Sequence, residues 1–387
     1  MLAMMGDNIE HVISYWVMFQ SFQSPVLAGY AVVSHWLPFL LFSVYSGSLA
    51  DRYDCRRLTQ LSMLMFAAVS VCWGLLFITG TLEVWHTLIL LAIHGWAGVL
   101  WFPATSLIVY DVVGRDDLQS GVRLSATARQ LGILMGPAIG GGLMLAFGPG
   151  VGILTNALVY LPLVAWCMMV PHTGHRREAL DAPRGRAVGV GDAVSVLHEV
   201  SSNRVVLSMI LLSGAIAITI GNAFQSLMPE FAVALNSSDT GKGYTVLQLA
   251  LAAGAVVGGL VLEAGGFLRP RAMTAILGGA LFALSVLGFA LARNYAVALL
   301  LLVAVGALRI AVSSMAQALV QLRSPVAMQG RVMGVFSMAQ SGLQVGSGIS
   351  VGLIGGLIGV HWSLGLSAAA LLAATVGLYF YTRTAPD

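Results

Sequence analysis

Residues 47–57 read Gly47-Ser-Leu-Ala-Asp51-Arg52-Tyr-Asp-Cys-Arg56-Arg57. This short polar turn lies between two long apolar runs, at 28–48 and 58–79. Arginine is costly in hydrocarbon, and basic loop residues gather on the cytoplasmic side of a membrane. The turn therefore reads as a cytoplasmic link between two membrane helices. Gly47 is expected to let the helix end pack against a neighbour. Asp51 is expected to pair with a cation or a helix N-terminus. Arg52, Arg56 and Arg57 would hold the loop at that face.

Outward from this turn the same pattern repeats along the chain. Of its 387 residues, 58% are hydrophobic and 9% charged, against about 25% charged in soluble proteins. Apolar runs fall at 1–23, 28–48, 58–79, 85–109, 123–147, 151–170, 205–228, 244–264, 272–292, 295–319, 330–358 and 360–382. A membrane helix needs roughly 20 apolar residues. The pattern predicts an all-α polytopic membrane protein with twelve spans. The longest polar stretch, 171–204, divides them six and six: an N-terminal bundle at 1–170, a cytoplasmic central loop, and a C-terminal bundle at 205–387. The first run has few residues beyond its acidic pair and reads as a helix cut short.

Loop charge gives the direction. Taken in alternation, one set of loops and the C-terminal tail carry fifteen basic residues, while the other set carries Lys242 and Arg293. By the rule that basic loops stay inside, both termini are cytoplasmic. A formal net charge of +3 gives no reason to expect a nucleic-acid partner. No Walker sequence is present to bind ATP, no catalytic triad lies in a soluble segment, and no metal or cofactor is expected. Cys55, Cys72 and Cys167 are far apart; Cys72 and Cys167 read as buried thiols.

The second motif is in the fifth run, Gly132-Ile-Leu-Met-Gly136-Pro137-Ala-Ile-Gly140-Gly141. Glycines four apart line one helix face and let two helices approach closely. Pro137 removes a backbone hydrogen bond and permits a bend. The eleventh run is also glycine-lined, at Gly342, Gly346, Gly348, Gly352 and Gly356.

Together these motifs resemble the major facilitator superfamily. Seven positions of 47–57 match its signature loop, G-x-L-a-D-R-x-x-r-R-R, and 132–141 is similar to its antiporter motif, G-x-x-x-G-P-x-x-G-G. The layout most resembles the bacterial branch that includes the enterobactin exporter and macrolide efflux proteins. The resemblance implies two six-helix halves, a bacterial inner-membrane location, and a monomer. It also implies proton-coupled efflux of a small organic molecule, such as a siderophore or a drug. In the family the signature loop latches the halves, and Arg331 is the candidate partner of Asp51. The arginine that many drug antiporters carry in the fourth helix is absent; His94 and Gly95 stand there instead. The alternatives are a uniporter or symporter of a small metabolite, or a non-transporting membrane sensor with the same fold.

Ionisable groups at membrane depth are functional candidates by default. Asp7, Glu10, His11 and Ser14 fall at i, i+3, i+4 and i+7, on one helix face. Asp7 or Glu10 is the expected proton site, with His11 beside them. Arg129 could offset a carboxylate on the first helix or meet an anionic substrate. His94, Asn222, Gln225 and Arg309 are further cavity candidates. Arg129 and Arg309 also read as snorkelling arginines, and the polar amides as ties between helices.

Overall fold

The computed structural model describes residues 1–114, 118–174, 203–235, 241–265, 271–324 and 329–383. Among them the secondary structure is helical throughout. The first five helices are α1 (Leu2–Phe22), α2 (Pro25–Arg52), α3 (Cys55–Thr79), α4 (Val84–Val113) and α5 (Leu118–Met169). After the central stretch come α6 (Arg204–Thr219), the short α7 (Ala223–Ser226) and α8 (Met228–Ala234), then α9 (Lys242–Gly265), α10 (Ala272–Leu291) and α11 (Tyr295–Arg323). The chain closes with α12 (Gln329–Ser341), a π-helical turn at Gly348–Leu353, α13 (Ile354–Ile358) and α14 (Val360–Arg383). In hydrocarbon every backbone N–H and C=O must be satisfied within the chain, and helices do this segment by segment.

Nine of the described helices are long and apolar enough to cross a membrane. That count takes α5 once and omits α1 and α9. α5 reverses direction at Gly148, where φ is 77°. An L side chain resists that left-handed conformation, and Pro149 follows at once. Gly359, at φ 90°, makes the corresponding break between α13 and α14. With α5 counted as two spans, each of the twelve apolar runs falls on helix. α1 is 21 residues long, about 31 Å.

The chain divides into two compact units: Met1–Phe22 with Leu37–Ala187, and Gln23–Trp36 with Val188–Asp387. The division runs through α2, beside Pro38, whose missing N–H weakens the helix there. The sequence pattern had placed all of α2 in the first bundle.

In the first unit, glycines let helices touch backbone to backbone. A Cβ on Gly132 would lie 2.5 Å from the Met1 carbonyl oxygen; one on Gly136 would strike the Asn8 side chain, and one on Gly140 would sit 3.1 Å from Ile9 Cα. The first half of α5 is thus pressed against α1, as the glycine spacing predicts. Gly74 and Gly150 do the same for α3 and the second half of α5. Hydroxyl-to-carbonyl bonds tie α4 in: Ser46 Oγ donates to Val99 O at 2.7 Å and Ser62 Oγ to Ala97 O at 2.5 Å.

In the second unit the same device recurs. Gly254 and Gly258 of α9 meet the α11 backbone at Val303 and Ala307. Gly348 and Gly352 meet Gly29 of α2, and Gly346 and Gly356 meet Ile218 and Val26. Its apolar core gathers Val206, Met209, Leu212, Ile276, Val320 and Phe336 around α6.

Three expectations change. Gly47 makes no close approach: a Cβ there would meet no described atom within 4 Å. Cys72 is exposed, although Cys55 and Cys167 are buried. Arg56 is engaged locally: Asp54 caps α3 by accepting from Arg56 N at 2.9 Å and pairs with the guanidinium at 2.7 Å. The bond from Arg56 holds the Asp54 carboxyl below its ordinary range. Arg56 also donates to Val170 O at 2.7 Å, which fixes the loop to the end of α5. The side chains of Asp51 and Arg331 lie outside the described residues, as do Arg115 and residues 175–202 of the central loop.

Replacing Gly136 by Leu should destabilise the protein by about 1–3 kcal/mol or more through overpacking. Gly47→Ala should be near neutral. Thermal unfolding in detergent reads both; equal midpoints for the two variants would contradict the packing.

Candidate functional site

The ionisable face of α1 is buried within the first unit. Asp7 and His11 are each 8% exposed and Glu10 is 2% exposed. Gly6 allows this placement, because a Cβ there would lie 2.8 Å from the ring of Tyr160. The partner that α1 meets is His94 of α4, itself 2% exposed. His94 Nδ1 lies 2.7 Å from Glu10 Oε1, and His94 Nε2 lies 2.8 Å from Asp7 Oδ1. One imidazole is thus held between two carboxylates that stand three residues apart on one helix face.

A hydrogen-bond relay sets the direction of this cluster. Asn156 Nδ2 donates to Gly6 O at 2.9 Å and to Ser70 Oγ at 3.2 Å. The Gly6 carbonyl can only accept, so it fixes the orientation of the amide. Ser70, already receiving a proton from Asn156, turns its own to Glu10 Oε2 at 2.5 Å. Glu10 is then an acceptor on its Ser70 side. Around the cluster, His11 Nδ1 lies 3.6 Å from Asp7 Oδ2, and the rings of His11 and Phe66 meet His94 edge-on at 4.9 and 4.7 Å. Phe66 stacks on Tyr160 at 5.3 Å.

The chemistry follows from counting protons. Each nitrogen-to-carboxylate contact needs one proton between its partners. Asp7, His94 and Glu10 therefore share two. They can be held as an imidazolium with two carboxylates, or as a neutral imidazole with one carboxylic acid. Removing one proton sets a lone pair against a lone pair in a buried site, where an unmade hydrogen bond is expensive. The cluster is stable in one proton load and strained in the next.

The other expected residues are placed separately. Arg129 sits over the Phe102 ring at 5.4 Å, and among the described residues no carboxylate lies within ion-pair distance of it. It does not offset the acids of α1. In the second unit Arg309 donates to Asn222 Oδ1 at 3.1 Å, so two cavity candidates meet. Asn222 lies at the break between α6 and α7 and Gln225 within α7; the Gln225 backbone N–H donates to Asn222 O at 3.0 Å. Arg52 and Arg57 are exposed and are not part of the His94 cluster. Gly132, Gly136 and Gly140 support it by seating α1, and Pro137 and Gly141 share their helix. Ser70 escaped sequence reading, because a serine in an apolar run carries no spacing signal; Asn156 is one of the polar amides read as cavity groups or ties between helices, and it bonds α5 to α1 and α3. Glu230, on α8, also escaped it; its burial pushes its carboxyl up to about 8.

The fold is that of several solved transporters. A bacterial homologue of the human lysosomal transporter Spinster matches with a TM-score of 0.73 at 13% identity, over 99% of this chain and 94% of that one. The nucleoside transporter NupG matches at 0.74 and 13%, over 99% and 97%. The xylose transporter XylE from Escherichia coli matches at 0.64 and 13%, over 98% and 95%. The molecule is a multi-pass helical membrane protein with the fold of these transporters. More narrowly, residues 1–385 match the family described as "Transmembrane secretion effector", and the chain belongs to it. Among curated relatives it is similar to MdtD of Escherichia coli O139:H28, named as a multidrug resistance protein, at 25% identity over 197 residues. That stretch is 51% of this chain, and it spans about two-fifths (41%) of the relative.

Removing the Ser70 hydroxyl leaves Glu10 Oε2 without its donor. Ser70→Ala should lower stability by about 1–3 kcal/mol, while Ser285→Ala, whose hydroxyl bonds only its own helix at Leu281 O, should change little. Thermal unfolding in detergent tests this, and an equal effect of the two would remove the relay from the account.

Proposed function

We propose that this protein is a transporter, a proton-coupled exporter of a small organic molecule, working by alternating access in a bacterial inner membrane with both termini cytoplasmic. The observation that carries the reading is the clamp of Asp7 and Glu10 on His94. Its two shared protons give the first unit a loaded and an unloaded condition with different internal energies, and coupling requires that property. His94 takes the place of the absent arginine, and the titratable groups of His11 and Tyr160 also face the cluster.

The glycine face of α5, with its likeness to the antiporter motif, supports export over import. So does the similarity to a protein named for multidrug resistance. Arg309, Asn222 and Gln225 are the polar groups assigned to the substrate cavity in the C-terminal bundle, and Arg129 the corresponding cation in the N-terminal one. Gly47, Asp51, Arg52, Arg56, Arg57 and Arg331 form the cytoplasmic gate. The bundles are 1–170 and 205–387, joined by the loop 171–204, and one chain is the working unit. A siderophore or a lipophilic drug fits this assignment.

Everted vesicles with an imposed pH gradient, loaded with a pH-reporting dye and offered a panel of siderophores and lipophilic drugs, test the proposal. The wild-type chain should release protons with a substrate. Glu10→Gln and Asp7→Asn should each reduce that signal at least tenfold. Full proton movement in both variants would sink the proposal.

A further inference from the structure

The same corner of the first unit has the donor set of a metal site. Asp7, His11 and His94 each bring one ligand atom, and these atoms lie within 4.8 Å of one another. Donors around a tetrahedral zinc stand roughly 3.3 Å apart, given metal–ligand bonds of about 2.0–2.2 Å. Small side-chain rotations would close the set around one ion. Two imidazoles and a carboxylate suit a borderline divalent ion such as Zn²⁺ better than Mg²⁺ or Ca²⁺, which favour oxygen.

The surroundings are built as a metal site requires. Metal-bound histidines commonly give their other ring nitrogen to a carboxylate, which fixes the ring and raises its basicity. His94 has this arrangement: Nε2 points to Asp7, while Nδ1 is held by Glu10 at 2.7 Å. Glu10 is itself oriented by Ser70 at 2.5 Å. The site is also graded in exposure. The side chains of Asp7 and His11 are each 11% exposed and that of His94 is 2% exposed, so an ion has an approach from the Asp7–His11 side onto a rigid imidazole.

We propose that Asp7, His11 and His94 form a binding site for one divalent transition-metal ion of the Zn²⁺ type, with Glu10 as the residue that positions His94. The proposal goes beyond export: it requires only binding, and it holds whether or not the chain moves protons.

The test is a titration of the full chain, purified in detergent without a polyhistidine tag, with Zn²⁺ against a chromophoric chelator. One ion per chain should bind saturably. Glu10→Gln should weaken binding at least tenfold, and His94→Gln and Asp7→Asn should abolish it. His86→Ala and His361→Ala, outside the cluster, should leave it unchanged. Zinc-edge X-ray absorption on the wild-type protein makes the proposal testable even if the variants fold poorly. A first shell with two imidazoles and a carboxylate oxygen supports the site. No saturable wild-type binding, equal affinity in folded His94→Gln, or a shell without imidazole overturns it. Because none of these readings uses transport, a failed exporter assay and a failed metal site are distinguishable.

Discussion

The close seating of α1 on the first half of α5 is the constraint on which the first unit depends. Gly132, Gly136 and Gly140 remove side chains where Met1, Asn8 and Ile9 come closest. With that face of α1 pressed to α5, its acidic face has one direction left. Gly6 and Tyr160 bring it further in, and Asp7 and Glu10 reach His94. A carboxylate at this depth is tolerated only when it is paired and hydrogen-bonded. The His94 clamp and the relay from Asn156 and Ser70 meet that condition. Small-residue packing, which carries no charge, thereby decides where the charges are.

The second unit uses the same packing for a different polar content. Gly254, Gly258 and Gly306 join α9 to α11, and Gly29 joins Gly348 and Gly352. Its half-buried cation, Arg309, is bonded to the neutral Asn222. The first unit's cluster holds two carboxylates and two imidazoles. Two units with similar glycine architecture thus carry opposite chemistry, and among the described residues only the first has a cluster whose hydrogen bonds depend on proton load.

The sequence made the helices legible because hydrocarbon leaves no other solution for the backbone. Runs of apolar residues, broken by arginine-bearing turns, gave the segments. The glycine spacing gave the α1-facing side of α5, and the i, i+3, i+4 spacing put Asp7, Glu10 and His11 on one face. What it could not give was distance across the chain. His94 is 84 residues from Glu10, and a lone histidine in an apolar run has no periodicity to mark its partner. Ser70 is hidden for the same reason, and Asn156 stands out only as a polar amide whose partners the sequence does not name. Local detail was lost where competing partners were close by: Arg56 turned to Asp54, two residues away. At Gly47 a plausible packing role met open space. The grouping of Gln23–Trp36 with the second unit follows from a weak point beside Pro38 that hydropathy alone does not read.

The central claim is that Glu10 and His94 form one coupled, buried unit. A double-mutant cycle measures it directly. Glu10→Gln, His94→Gln and the double variant would be compared by unfolding free energy in one detergent. Coupling predicts that the double variant loses less stability than the two single losses added, by about 1 kcal/mol or more. Additivity within about 0.3–0.5 kcal/mol, the range expected of independent sites, would contradict the account.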